Sequence, residues 1–113
     1  MSVEIAVYDA LTGDAGVAAL VSTRVYPQVL PPDVTLPAIV YRNIDSVPFG
    51  SLCQVSRVQI DVYGASYSSV KGVRDAVRAC ADSQSNWVFY GGPDMWQDGQ
   101  EVFHQSMDVR VYE

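Results

Sequence analysis

The sequence predicts an α+β fold: a mostly antiparallel four-stranded sheet with helices packed on one face, in the order α-β-β-α-β-β. Two adjacent segments carry most of this prediction. Between Arg57 and Tyr63, apolar and polar residues alternate, which is the period of a strand with one buried face. After Gly64, apolar residues recur three or four positions apart, which is typical of a helix with one buried stripe. The 113 residues are expected to form a single domain, 1–113.

The N-terminal part of the chain is predicted to be helical and then extended. Ser2 can cap a helix from about Val3 to Thr12, and Asp14 can cap a second helix from Ala15 to Val21. The two form a helical hairpin or one kinked helix. Four prolines between Pro27 and Pro37 exclude a helix or a central strand there, because proline fixes φ and has no N–H. We expect this segment to run extended over the surface.

Two strands are predicted in the middle of the chain. Ala38–Asp45 is rich in β-branched and aromatic residues, which favours a strand. Ser46–Cys53 is predicted to be a loop, because Pro48 and Gly50 interrupt the pattern. Gln54–Gly64 is the second strand, and the two are expected to pair antiparallel across that loop.

One helix follows the second strand. It is predicted over Tyr67–Asp82, with Ser66 at the N-cap position. Its buried stripe consists of Val70, Val73, Val77 and Cys80. Since Cys80 falls on this stripe and the two cysteines have neither metal nor redox spacing, we expect Cys80 to be a buried, reduced thiol.

The C-terminal part of the chain is predicted to add the last two strands. Asn86–Tyr90 is a short aromatic strand, and Gly91–Gln100 is a turn-rich connection. Glu101–Tyr112 is the final strand, with apolar residues on one side and polar residues on the other. The strands follow one another in hairpin-like order, so the sheet should be mostly antiparallel.

Composition excludes some partners. The net charge is −6, Lys71 is the only lysine, and the six arginines are scattered, which argues against non-specific binding to nucleic acid. No stretch approaches the roughly 20 apolar residues of a membrane span, so no membrane association is predicted. The first residues lack a positive leader and a long apolar run, so we expect synthesis in the cytosol.

The sequence contains no convincing reaction centre. His104, the only histidine, is expected to be a surface residue rather than a general base. Asp94 and Asp98 flank a turn but lack the spacing of a calcium loop. No glycine-rich phosphate loop is present. We therefore predict no catalytic residue, no cofactor and no metal.

A polar strand face and two loops are the candidate contact surfaces. The strand face is either solvated or a subunit interface, because arginine and tyrosine are enriched at contacts and Arg–Asp pairs fix register. Its candidate residues are Arg42, Arg57, Gln59, Asp61, Tyr63, Asp108 and Arg110. Apolar residues in the loops either contact a partner or fold back onto the domain. These are Phe49 and Leu52 in the first loop and Met95 and Trp96 in the second.

Four segments in order carry a family resemblance. They are ALTGDAGVAALV; RVYP, followed by a proline-rich run and LPAIVYRNI; RVQIDVYGASYSSVKGVRDAVRAC; and a closing MDVRVYE. Together they span nearly the whole chain. In this order and spacing the chain resembles the tail completion proteins of long-tailed phages and prophages, also called tail terminator or head–tail joining proteins.

The resemblance implies a structural virion protein without catalysis or cofactor, made in the host bacterial cytoplasm. It implies a single tail-terminator-like domain that assembles with itself as a ring, commonly of six copies, at the head-proximal end of the tail. Such a ring ends polymerisation of the tail tube. It contacts the tail tube protein and a head-completion or connector protein, and DNA passes through its lumen without specific binding.

Two other interpretations stay open at this point. One is another head–tail connector or tube-like virion protein with similar architecture. The other is a small α+β enzyme or ligand-binding module. Self-assembly would favour a virion component, whereas a pocket with convergent reactive groups would favour the enzyme.

Overall fold

The computed structural model describes residues 3–48, 50, 53–92, 96–97 and 102–113. Within these ranges the chain forms three helices and six strands. In chain order they are α1 (Val3–Gly13), α2 (Ala15–Val21), β1 (Val25–Pro27), β2 (Ala38–Pro48), β3 (Gln54–Gly64), α3 (Tyr67–Ser83), β4 (Trp87–Gly91), β5 (Trp96–Gln97) and β6 (Phe103–Tyr112).

The described strands form one sheet in the spatial order β1-β2-β3-β6-β4, and the two-residue β5 pairs with β6 beside this path. Every neighbouring pair is antiparallel except β1 and β2, which are parallel. The predicted α+β class is therefore confirmed. The prediction of four strands in an antiparallel sheet is wrong in detail, because the main path has five strands and the sheet is mixed.

The additional edge strand is β1, in the segment predicted only to run extended over the surface. It pairs with β2 over three residues, from Val25 opposite Ile39 to Pro27 opposite Tyr41. Val25 is buried in the core, which anchors the segment. Pro27 is tolerated because an edge strand needs hydrogen-bond donors on one side only.

The β2–β3 hairpin is longer than predicted. β2 continues to Pro48, so residues 46–48 of the predicted 46–53 loop are strand. A bulge between Asn43 and Asp45 shifts the register, and pairing then resumes from Asp45 opposite Arg57. Bulges are common where a strand bends away from the body of a sheet. All side chains from Ile44 to Pro48 are exposed, so the described residues do not pack over this end of the hairpin.

The helices contribute one apolar stripe each to a single core. Asp14 caps α2 by accepting from the Val17 N–H at 3.0 Å, and Ser66 caps α3 by accepting from the Ser69 N–H at 3.2 Å. The predicted α3 stripe is fully buried. It packs on alternating sheet residues, which are Ile39, Tyr41, Val58, Ile60, Val62, Met107, Val109 and Val111. All three helices thus cover the same face of the sheet, as predicted.

Cys80 lies on the α3 stripe and is fully buried, with its Sγ 3.5 Å from the Ala10 carbonyl oxygen. Burial, reinforced by the nearby charge of Asp14, raises the pKa of the Cys80 thiol to about 11. Because the thiolate is the reactive form, a thiol reagent at pH 8 should label the partly exposed Cys53 quickly and Cys80 only after unfolding. While it remains folded, the Cys53→Ser variant should not react with an aromatic disulfide reagent and so should release none of its chromophore. Rapid release from the folded variant would contradict the burial of Cys80.

Candidate interface on the helix-free face of the sheet

The face of the sheet that points away from the helices is called here the helix-free face. It includes every residue of the predicted polar strand face, because these residues alternate with the core residues of their strands. They are Arg42, Arg57, Gln59, Asp61, Tyr63, Asp108 and Arg110. The period of two therefore predicts the correct side for the residues of β3 and β6, and Arg42 of β2 lies on the same side because it is paired with Gln59.

Asp61 lies at the centre of this face, and only 1% of its side chain is exposed. Ser106 Oγ donates to its Oδ1 at 2.5 Å, and Gln59 Nε2 donates to the same carboxylate at 3.0 Å. An Arg42 guanidinium nitrogen lies 3.4 Å from its Oδ2. Strand pairing explains this convergence, because Val40, Asp61 and Ser106 are direct neighbours across β2, β3 and β6. The buried carboxylate joins all three strands.

The surroundings of Asp61 favour its ionised form. Burial alone would raise the pKa of Asp61. Hydrogen bonding from His104, Ser106 and Gln59, together with the charge of His104, outweighs burial and holds the pKa below its ordinary value. The carboxylate therefore stays charged at neutral pH.

His104 is not the surface residue that the sequence predicts. Its side chain is 12% exposed, and its Nε2 lies 3.5 Å from Asp61 Oδ1. Its ring stacks on the Tyr63 ring with the centroids 4.1 Å apart. Alternation along β6 places His104 and Ser106 on the helix-free face, but periodicity alone does not reveal that both approach a buried carboxylate.

A second group of charges lies further along the same face and is more exposed. Arg57 and Arg110 both approach Asp108 Oδ2, at 3.1 and 3.9 Å. The Arg110 guanidinium also lies 4.4 Å from the centroid of the exposed Tyr90 ring. Beside them is an open depression of about 250 Å³, lined by Asp45, Val47, Val55, Arg57 and Arg110.

Four of the seven predicted residues illustrate two different roles in the described structure. Gln59 and Arg42 both bind the buried Asp61 carboxylate and so hold strands together, although the Arg42 side chain is still 36% exposed. Arg57 has a side chain that is 45% exposed and remains accessible to another molecule. The use of this face as an interface stays a prediction.

Four candidate residues lie in the predicted loops. Phe49, Leu52 and Met95 lie outside the described residues. Trp96 belongs to β5, where it pairs with His104 of β6.

The described residues contain no group of three or more His, Cys, Asp or Glu side chains arranged to hold a metal ion. None of the helices within the described ranges has the length and apolar character needed to cross a membrane.

Comparisons with known proteins agree with this architecture. A family model described as tail completion protein gp17 matches residues 5–112. A search of curated proteins finds no match. Among solved structures, a chain from the virion of a native gene transfer agent particle superimposes with a TM-score of 0.74 at 20% sequence identity. The likeness covers 98% of this chain and 93% of that chain, and at this identity it supports the fold.

The family match extends over nearly every helix and strand, so it concerns the whole domain rather than one motif. The chain therefore belongs to the tail completion protein gp17 family and is a structural, non-enzymatic tail protein.

Proposed function

We propose that this chain forms a closed ring, of six copies, at the head-proximal end of a long phage tail. There it ends polymerisation of the tail tube and joins the tail to the head. The observation that carries the proposal is the family match over residues 5–112, which extends across nearly all of the helices and strands.

The fold is suited to a ring because its lateral edges differ. A closed ring is built from a heterologous interface, in which one patch meets a different patch on the next copy. One lateral edge of this sheet is formed by β1 and the end of β2, and the other by β4 and β5. Two unlike edges on a small domain can supply the two halves of such an interface.

The ring would contact different proteins on its two sides. The tail tube protein meets one side, and a head-completion or connector protein meets the other, so that tube rings do not continue beyond it. Six chains carry a formal charge of roughly −36, six times the −6 of one chain. If the lumen surface shares this charge, it repels DNA phosphates, and DNA can pass through without specific binding.

The proposal is tested by electron microscopy of particles made without this gene product. Loss of a terminator should give tails longer than normal, detached from heads, and supplying the gene in trans should restore both length and attachment. Tails of normal length that remain joined to heads would refute the proposal. Absence of tails altogether would instead indicate a tube-like role for the chain.

A further inference from the structure

Two edges of the sheet are open among the described residues. β1 covers the outer edge of β2 only as far as Tyr41, which accepts a hydrogen bond from the Gln28 N–H at 3.0 Å. Beyond that point no described strand pairs with the outer edge of residues 42–48. On the opposite side of the sheet, β4 pairs only with β6, so its outer edge is also open within the described ranges.

The two open edges lie at the same height along the strands. This follows from the registers of β2 with β3, β3 with β6 and β6 with β4. Three rows of opposed residues cross the sheet: Asn43-Val58-Val109-Phe89, Asp45-Arg57-Arg110-Val88 and Ser46-Ser56-Val111-Trp87. A copy placed beside the first without any shift along the strands would therefore bring the two open edges together.

Both edges also expose large apolar side chains. Ile44 and Val47 on β2 are 42% and 46% exposed, and Val88 and Tyr90 on β4 are 45% and 58% exposed. Open edges with apolar side chains are prone to pair with another chain, and proteins that stay monomeric usually shield them. In this chain Pro27 shields the β1 part of the edge. The open part of β2 has a bulge between Asn43 and Asp45, the charge of Asp45 and a terminal Pro48, and these still leave Ile44 and Val47 exposed.

The helices beside the two edges carry opposite charges. Glu4 of α1 lies next to the open part of β2, since its Oε1 accepts from Asn43 Nδ2 at 3.3 Å. Beside β4, the Arg74 and Arg78 guanidinium groups of α3 lie 5.7 and 5.4 Å from the centroid of the Phe89 ring. Each also approaches an aspartate of its own helix, Asp75 at 3.6 Å and Asp82 at 3.9 Å, which partly neutralises this flank. In a head-to-tail arrangement the acidic flank of one copy would face this partly neutralised basic flank of the next.

Strand directions define how the edges would meet. Three antiparallel steps lead from β2 through β3 and β6 to β4, so β4 runs opposite to β2. Rotation about an axis parallel to the strands keeps their direction. The β4 of one copy would therefore meet the β2 of its neighbour in an antiparallel arrangement. Backbone hydrogen bonds can form between the two edges, with interruptions at the irregularities between Asn43 and Asp45 and between Phe89 and Gly91.

We propose that the outer edge of β4 in one copy pairs antiparallel with the outer edge of residues 42–48 of β2 in a second copy, so that the sheets continue from subunit to subunit. This interface rests on the proposed ring and specifies which surfaces close it. It is an example of β-strand addition at an open sheet edge, with a second copy of the chain as the partner.

Disulfide crosslinking tests this pairing. In a Cys53→Ser background, which leaves only the buried Cys80, one chain carries Asp45→Cys and another carries Val88→Cys. The two positions share a row and a face, so oxidation of the mixed chains should crosslink them. The crosslinked fraction should be about tenfold above that of either chain alone, since opposed Cβ atoms lie within disulfide reach. A chain carrying both substitutions should give a series of crosslinked oligomers on a denaturing gel, and the largest of them should be the closed ring.

Two further pairs test the register and the specificity of the contact. If the register is shifted by two residues, Val47→Cys should crosslink with Val88→Cys in place of Asp45→Cys. Tyr67→Cys, at a position on α3 that is 58% exposed against 45% for Val88, should give no crosslink with Asp45→Cys.

The outcomes distinguish this interface from the ring itself. Oligomers detected by native mass spectrometry without crosslinks at Asp45, Val47 and Val88 would overturn the edge pairing and leave the ring intact. A crosslink within chains that carry only one of the substitutions would indicate a two-fold contact and overturn the head-to-tail pairing. A chain that is monomeric both in solution and with purified tail tubes would overturn the ring.

Discussion

Asp61→Ala should lower the free energy of unfolding by about 3 kcal/mol, because it removes charge-assisted hydrogen bonds at a buried site. The Ser106 hydroxyl and the Gln59 amide would both lose their shared acceptor. Arg42 would lose its carboxylate partner but retain its bond to the Gln28 carbonyl at 3.1 Å. The measurement is urea unfolding at neutral pH, at a chain concentration low enough to keep the protein monomeric.

Asp45→Ala is the matched control for Asp61→Ala. Asp45 is an aspartate on the same face and is exposed, so its replacement should change stability by less than about 0.5 kcal/mol. Asp61→Asn retains the shape and one acceptor oxygen, so it should cost about 1.5 kcal/mol. Equal effects of Asp61→Ala and Asp45→Ala would show that the Asp61 cluster does not stabilise the fold.

The stabilising contribution of Asp61 should depend on pH. The pKa of Asp61 is lower in the folded chain than in the unfolded chain, so the unfolded chain binds more protons as the pH falls. The contribution of Asp61 is complete well above the ordinary aspartate pKa of about 3.9 and is lost as the pH falls through the folded-state value. The stability difference between the natural chain and Asp61→Asn should therefore be largest near neutral pH and shrink below about pH 4. A difference that stays constant with pH would contradict a lowered pKa.

The elements best predicted from the sequence are those specified by their own residues. β3 and α3 alternate or repeat cleanly, and their observed bounds, Gln54–Gly64 and Tyr67–Ser83, agree with the predicted ones to within one residue. β1 is different because its three residues become a strand only through pairing with Ile39–Tyr41. The extension of β2 through Pro48 likewise depends on β3 opposite it. The bounds of short edge strands and hairpin ends depend on the strands they pair with, and a local sequence pattern does not include the residues of those strands.

The polar strand face could be predicted only in part, for a similar reason. A period of two places Asp61 on the side opposite the helices, but the same pattern describes solvated and buried polar residues equally well. His104 and Ser106, which approach the buried Asp61 carboxylate, lie more than forty positions later in the chain. Their approach requires the β3–β6 register, which no local pattern specifies. The sequence therefore predicts which face is polar but not which of its charges is enclosed.

Gly64→Ala should also destabilise the fold, by about 2 kcal/mol, through overpacking. Gly64 ends β3 on the core side, and a methyl group built there would lie 2.6 Å from the Val70 Cγ2 atom. Val70 is fully buried in the first turn of α3, and a β-branched side chain in a helix has essentially one allowed rotamer. The connection between β3 and α3 must therefore shift to accept the methyl group, which should lower both the midpoint of urea unfolding and the melting temperature.

Gly72→Ala is the control that separates overpacking from the general effect of adding a methyl group. Gly72 lies in α3 with no atom within 4 Å of a built Cβ, so alanine meets open space there. Since alanine favours a helix interior over glycine, Gly72→Ala should stabilise the chain by about 0.5–1 kcal/mol. The two substitutions are chemically identical and should move the melting temperature in opposite directions. A stabilising effect at both positions would show that the strand-to-helix connection is loosely packed, and the close contact of Gly64 with Val70 would then not constrain this junction.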